Sequence, residues 1–396
     1  MRILINGFNM GSGGGLAHAH AILTGLSRLE GGHDFLAIVP DLPEYRALDG
    51  VGRLRLRLHP VRWAFPLRHV QYYVREIGRA ARAFNAEAVL SLTSLAVPRI
   101  DLPQFVLANQ ALLAVPATYY RPGAPIWFRI KVALQRLTFR AGLQRTSALI
   151  VHSRFMEQHF RATWSFGGAI VHVPAFKDVS APVTKMPAPI QQLLTADPHF
   201  KVLYPASYSH YKNFKPLLDA FVLLRHRRRP IRLVTTIPKV KASEPFFKAI
   251  SELGLEDTVI NIGSLPHAAM PALYQLVDAT VQVSLLESYG LTYIESFQHE
   301  RPQVVSDLPF AREMCGEACL YAPSSSAEGI ADAIERLEQD PSLRAELVRR
   351  GRERLATAVV SVEEYARRLV NAVVQGTSRA TGVSGSGVAP RLRTTI

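Results

Sequence analysis

Two glutamates, Glu287 and Glu295, stand eight positions apart in LLESYGLTYIESF, Leu285 to Phe297, on either side of a small Ser-Tyr-Gly turn. Ionised carboxylates only accept hydrogen bonds, so two of them at this spacing suit a ligand with hydroxyl groups at both ends. The run before them, ATVQVSL (279–285), is apolar and β-branched like a buried strand, and helical spacing resumes from about Leu291 to Glu300. Glu287 then ends a strand, Ser288, Tyr289 and Gly290 turn the chain, and Leu291 and Thr292 open a helix whose free amides attract an anion. Glu295 falls about one turn inside that helix. A diphosphate flanked by two hydroxyl-rich rings, the layout of a nucleotide sugar, can meet both carboxylates. The plain alternative for Glu295 is a carboxylate that merely complements the helix dipole.

GSGGG (11–15) lies between the apolar run RILIN (2–6) and a helical pattern, a second place where backbone amides approach a phosphate. The spacing is not the dinucleotide G-x-G-x-x-G, since residue 16 is leucine. A tight strand-to-helix turn without a ligand is the alternative.

Short apolar runs alternate with longer helical patterns along the chain. RILIN, FLAIVP (35–40), AVLSL (88–92), FVLA (105–108) and ALIVHS (148–153) read as strands. LAHAHAILTGLSRL (16–29), VQYYVREIGRAARAF (70–84) and WFRIKVALQRLTFRAGLQ (127–144) read as helices between them. Such alternation argues for a parallel sheet covered on both faces. Five prolines interrupt the pattern at 174–199, after which it restarts with KVLYPA (201–206) and runs through IRLVTTI, TVINIG, ATVQVSL, PQVVSD and ACLYA. The expected plan is an N-terminal Rossmann-like domain over 1–175, a linker over 176–199 and a second, similar domain over 200–360. A helix over 361–376 returns to the first domain, and a disordered Gly/Ser/Thr-rich tail fills 377–396. Two doubly wound domains bind ligands outside the carboxyl ends of their strands, here across a cleft.

A chain of 396 residues with 48% hydrophobic and 20% charged side chains is long enough for two globular cores. No apolar run is long enough to cross a bilayer and MRILINGFNMGSGGG lacks a signal-peptide layout, so a cytoplasmic location is expected. Cys315 and Cys319 have no other ligand-type residues at metal spacing and read as reduced thiols. The net charge of +14 favours polyanionic partners without choosing among nucleic acid, anionic lipid and phosphorylated small molecules.

E-S-Y-G-L-T-Y-I-E, continued by S-F-Q-H-E-R-P-Q-V-V-S-D-L-P, resembles the Glu-x7-Glu pattern of glycosyltransferase family 4, retaining enzymes of the GT-B fold. Y-P-A-S-Y-S-H-Y-K-N-F-K-P-L-L-D-A-F (204–221) resembles that family's strand, loop and lysine-asparagine helix start. The resemblance covers most of 200–340 and extends to the N-terminal half only in layout. It implies an α/β protein of two Rossmann-like domains facing across a cleft. By the same resemblance Glu287 would bind the donor sugar's hydroxyls, the backbone of Tyr289, Gly290, Leu291 and Thr292 would meet sugar and diphosphate, and Glu295 would bind the ribose. Lys212 would neutralise the departing diphosphate, with Gly14 and Gly15 closing on it from the other domain. The family's usual arginine, five residues before the lysine, is replaced by Ser207, and its N-terminal histidine by Asn109-Gln110. The implied reaction is glycosyl transfer with retention, using a nucleotide-diphosphate sugar as donor and neither metal nor further cofactor. The expected acceptor is a growing polysaccharide or lipid-linked saccharide.

Two rivals keep part of this reading. A nucleotide-sugar epimerase or glucan synthase shares the fold, and RLRLRLHPVR (53–62) with the basic charge suggests nucleic acid, although its arginines alternate with leucines as on one face of a strand and no nucleic-acid recognition motif accompanies them. RPGAPIWFRIKVALQRLTFRAGLQR, Arg121 to Arg145, mixes Trp127, Phe128, Leu134, Leu137 and Phe139 with Arg129, Lys131, Arg136, Arg140 and Arg145. That mixture suits an anionic membrane surface, or else an ordinary helix packed on the sheet.

Overall fold

A computed structural model describes residues 1–11, 13–60, 66–119, 124–177, 184–288 and 290–380. Strands β1 (Arg2–Asn6), β2 (Asp34–Pro40), β3 (Leu54–His59), β4 (Ala88–Ser91), β5 (Gln104–Leu107), β6 (Thr146–Val151) and β7 (Ala169–His172) form a seven-stranded sheet in the order β3-β2-β1-β4-β5-β6-β7. All its pairs are parallel. After β8 (Ala175–Lys177), a six-stranded parallel sheet follows, built from β9 (Phe200–Tyr204), β10 (Ile231–Thr235), β11 (Val259–Asn261), β12 (Ala279–Gln282), β13 (Gln303–Ser306) and β14 (Leu320–Ala322). Its order is β11-β10-β9-β12-β13-β14. β15 (Val359–Ser361) pairs with β8 and stitches the two halves together.

Each sheet reverses strand order once, between β1 and β4 and between β9 and β12. Those reversals are where an open α/β sheet leaves a crevice for ligands. The chain segments after β1, β4, β9 and β12 therefore position the site.

The helices are α1 (Gly13–Ser27), α2 (Pro43–Arg46), α3 (Pro66–Ala83), α4 (Ala111–Ala114), α5 (Ile126–Leu143), α6 (Arg154–Trp164), α7 (Ala188–Ala196) and α8 (Phe214–His226), followed by α9 (Glu244–Glu252) and α10 (Met270–Gln275). Then come α11 (Leu291–Gln298), α12 (Pro309–Cys315), α13 (Ala327–Gln339), α14 (Pro341–Ala358) and α15 (Val362–Ala380). Helices on both faces explain why the central strands are unbroken apolar runs: Ile3, Leu4 and Ile5 are all fully buried. α15 returns to the first sheet, where Tyr365, Ala366, Leu369 and Val373 join one core with Leu23, Leu26 and Phe105. Among the described residues no helix is long and apolar enough to cross a membrane.

Several boundaries differ from the sequence reading for physical reasons. The helix at GSGGG starts at Gly13, so Gly14 and Gly15 form its first turn rather than a loop. β12 stops at Gln282 because the Leu285 amide donates to the Tyr211 carbonyl (2.8 Å) instead of a neighbouring strand. The helix expected to end at 376 runs to Ala380, so residues 377–380, expected in the tail, are helical. Gly376 does not break it: a Cβ there would come within 2.3 Å of the Phe105 ring, so the missing side chain lets the helix lie against the sheet. The proline-rich stretch carries structure of its own in β8 and α7, and residues 381–396 lie outside those described. RLRLRLHPVR contributes β3, the edge strand, with Arg57 paired to Glu76; Val61 and Arg62 lie outside the described residues.

Candidate functional site

The chain leaving β9 makes a loop and a short turn, His210–Lys212, before α8. Asn213 closes that turn in the left-handed region (φ 58°), which asparagine tolerates better than most residues. Its side-chain amide donates to the carbonyls of Val283 (3.0 Å) and Ser324 (2.6 Å), tying the loop to the segment after β12. The Tyr204 hydroxyl donates to the Lys212 carbonyl at 2.7 Å. Lys212 is thus held by its own backbone, and its Nζ reaches Glu287 Oε1 at 2.5 Å. Both side chains are largely buried, 16% and 15% exposed. Burial works against the Lys212 ammonium, yet the Glu287 carboxylate, with Tyr204 and Tyr211, outweighs it and raises its pKa. Lys212 is a fixed cation at any physiological pH.

Beyond Glu287 the chain turns through Gly290, whose φ of 67° and position against the Tyr293 ring, 2.4 Å from a would-be Cβ, leave room only for glycine. α11 begins there. Glu295 lies on its buried side, where Oε2 accepts from the Tyr274 hydroxyl (2.9 Å) and Oε1 lies 3.9 Å from His267 Nδ1. Burial raises the Glu295 pKa, and His267 and the Tyr274 bond only partly offset it. The Thr292 hydroxyl donates to the Gln282 carboxamide at the end of β12, so its side chain is already engaged.

The facing wall is built differently. Asn6, fully buried at the end of β1, donates to Ser91 Oγ (3.1 Å), Tyr73 Oη (3.3 Å) and Thr93 Oγ1 (3.4 Å) across the strand-order reversal. A Cβ on Gly14 would stand 4.0 Å from Leu291 Cδ1, so the first turns of α1 and α11 face each other across the cleft. The Ser288 hydroxyl donates to the Asn109 carbonyl at 2.6 Å, joining the walls directly. Asn109 is itself held by Ser94, which accepts from its amide at 3.0 Å. Glu313 of α12 accepts from the amides of Arg154 (2.6 Å) and Phe155 (2.9 Å) at the start of α6, a second strap between the halves. Beside the Glu287 turn a cavity of about 390 Å³ separates the halves, lined by Glu287, Ser288 and Gly290 on one side and by His152, Arg154 and His172 on the other.

Of the residues singled out in the sequence, Lys212 and Glu287 form one ion pair, and Gly290 and Leu291 lie opposite Gly14. Glu295 lies farther along the same helix, towards Tyr274 and His267. Gly15 turns the position of a side chain to Met10 (3.3 Å), Ser207 is exposed, and Tyr289 lies outside the described residues. Tyr274, His267, Asn6 and Tyr73 went unnoticed in the sequence. Asn6 and Ser91 carried a readable signal, as polar residues at the carboxyl ends of otherwise apolar strands. Cys315 and Cys319 are free and buried. Among the described residues no three histidine, cysteine or acidic side chains cluster closely enough to hold a metal ion.

This pairing of two doubly wound sheets recurs across the full length of Anabaena HepE in complex with UDP-glucose. The two superpose with a TM-score of 0.72 at 16% identity, over 95% of this chain and 100% of that one. The fold is GT-B. Within the GT-B chain, residues 187–354 match the family of glycosyl transferases, group 1. Relatives in sequence include the alpha-D-kanosaminyltransferase of Streptomyces kanamyceticus, 27% identical over 43% of this chain and 44% of that protein. The D-inositol 3-phosphate glycosyltransferase of Pseudarthrobacter chlorophenolicus is 26% identical over 42% of each. The GT-B chain thus spans about half the length of the curated relatives it matches.

Proposed function

We propose that this chain is a retaining glycosyltransferase that takes a sugar from a nucleoside-diphosphate donor and needs no metal. The observation that carries the reading is the Lys212–Glu287 pair, held at the strand-order reversal of the second sheet and close to the start of α11, which faces the first turn of α1. A diphosphate sugar satisfies both partners when it separates them: phosphate oxygens take the Lys212 ammonium and sugar hydroxyls take the Glu287 carboxylate. The amides of Gly290, Leu291 and Thr292 and, outside the described residues, of Tyr289 receive the diphosphate, with Gly14 and Gly15 opposite. Glu295 accepts from the ribose hydroxyls. Ser207 adds a hydroxyl where a second cation would stand, so Lys212 carries the leaving-group charge in that loop.

The bond from the anomeric carbon to phosphate breaks with its electrons going to the diphosphate. The acceptor oxygen bonds the same face of that carbon, and its proton leaves with the phosphate. Lys212 and the helix starts stabilise charge that grows on the leaving group. The acceptor is a saccharide, free or lipid-linked, and the enzyme works in the cytoplasm or at the inner face of a membrane. Similarity to the group 1 family over the donor half and the likeness to a UDP-glucose complex support the donor assignment.

The test starts with thermal stabilisation by a panel of nucleoside diphosphates, because a ligand that binds the folded state raises the melting temperature. The matching nucleotide sugars are then assayed for acceptor-dependent release of nucleoside diphosphate, with the product's anomeric configuration read by NMR. Inversion would overturn the retaining assignment. Sugar interconversion without diphosphate release would mean an epimerase.

A further inference from the structure

The exposed side chains of α5 form a continuous apolar stripe. Ile126 (66% exposed), Trp127 (58%), Ile130 (54%), Leu134 (61%) and Leu137 (65%) recur at helical spacing on one face. The opposite face, with Val132 and Phe139, is buried in the core. The helix cannot roll to hide the stripe. Arg136 donates to the carbonyls of Leu112 (3.0 Å), Leu113 (3.3 Å) and Val115 (2.7 Å) and lies 4.6 Å over the Trp164 ring.

Arg129 and Arg140 flank the stripe on one side and Lys131 on the other, by the 100° step between successive helical residues. Among the described residues none of the three has a carboxylate partner, and the chain has no Asp or Glu from residue 102 to residue 156. Most other arginine-rich segments are neutralised: Arg349, Arg350 and Arg352 of α14 are all paired with glutamates. An apolar stripe edged by unpaired cations is complementary to lipid tails beneath anionic head groups. A twofold contact between copies would set the same cations against one another, since such an interface repeats one patch on both subunits.

The first turn of α5 also lies beside the cleft, on the face opposite the stripe. The Phe128 ring lies 6.5 Å from that of His210, in the turn that carries Lys212. We infer that α5 is the docking surface for an anionic bilayer, and that it delivers an acceptor whose lipid stays in the membrane while its saccharide reaches the Lys212–Glu287 cleft. The acceptor half of this inference rests on the glycosyltransferase reading; the docking half does not.

The experiment uses the full chain with vesicles of phosphatidylcholine alone or mixed with phosphatidylglycerol, at low and high salt. Cosedimentation with the mixed vesicles only, weakened by salt, is expected. Arg129→Ser/Lys131→Ser/Arg140→Ser should reduce partitioning on the order of a hundredfold, at the usual contribution of a cation near an anionic surface. Trp127→Glu/Leu134→Glu should abolish it. Both variants should keep wild-type thermal stabilisation by nucleoside diphosphates, which separates loss of docking from failure of the donor site. In a variant retaining only Trp127 among the tryptophans, brominated lipid should quench its fluorescence. No binding to anionic vesicles, unchanged binding by both variants, or a dimer dispersed by Leu134→Glu without lipid would overturn the assignment.

Discussion

The two walls of the cleft solve different problems. The wall after β9 and β12 is charged, with Lys212 and Glu287 paired and Glu295 buried against Tyr274. At the ends of β1 and β4 the facing wall is polar but neutral, a network of Asn6, Tyr73, Ser91 and Thr93, with Arg154 as a cation farther along that half. A charged wall suits a charged donor and a developing leaving group, whereas a neutral wall suits hydroxyls. Sequence similarity tracks this division, since the family match covers 187–354 and leaves the neutral wall outside.

The largest expected break in this comparison is in stability. Lys212→Ala strands the Glu287 carboxylate in a site where both side chains are only about one-sixth exposed, which should cost about 3 kcal/mol, as removing one partner of a buried pair does. The double variant Lys212→Met/Glu287→Gln should recover most of that in chemical denaturation. Equal losses in the single and double variants would mean that the pair is not what the site is built around.

Glu295→Gln should raise the donor KM about tenfold with turnover at saturation kept, because the ribose does not react. Its pH profile sharpens the point. With its folded pKa raised by burial, Glu295 takes up a proton at a higher pH than an ordinary glutamate, so wild-type donor KM should climb as pH falls through that raised value. The glutamine variant should lack that limb; an identical profile would remove Glu295 from donor binding.

A smaller effect is expected where the walls touch. Ser288→Ala removes the hydroxyl bonded to the Asn109 carbonyl, worth about 1 kcal/mol, and should show mainly in acceptor KM. A change confined to donor KM would place Ser288 on the donor side alone.

A separate, pH-dependent effect concerns the core behind the neutral wall. Burial lowers the His18 pKa to about 3, helped by His152, and burial lowers that of His152 to about 4. Both lie below the ordinary value of 6.5, so as pH falls from there the unfolded chain binds protons that the folded one refuses. Melting temperature should decline from about pH 6.5 towards pH 4, and His18→Phe should shallow that decline.

Much of this architecture was legible because central parallel strands are buried on both faces, so RILIN and FLAIVP stood out as apolar runs. β7, AIVH, did not: it is four residues long, at the sheet edge, with its end side chains exposed. α6 escaped notice because it starts three residues after β6 ends, with Ser153 accepting the Met156 amide as its cap. At the site, Glu287 and Glu295 were readable from local spacing around a turn. Their partners were not, since Tyr274 and Glu295 are 21 positions apart and Asn6 and Tyr73 are 67 apart. Those contacts exist only once the sheets have formed.

The division between the walls is tested most directly by turnover at saturating donor, measured side by side for the wild type, Lys212→Ala and Asn6→Ala, each confirmed as folded. Loss of one preorganised electrostatic contact to the leaving group should lower turnover of Lys212→Ala about a hundredfold or more, whereas Asn6→Ala should stay within about tenfold of wild type. Near-normal turnover of Lys212→Ala, or equal losses in the two variants, would contradict the assignment of leaving-group chemistry to the charged wall.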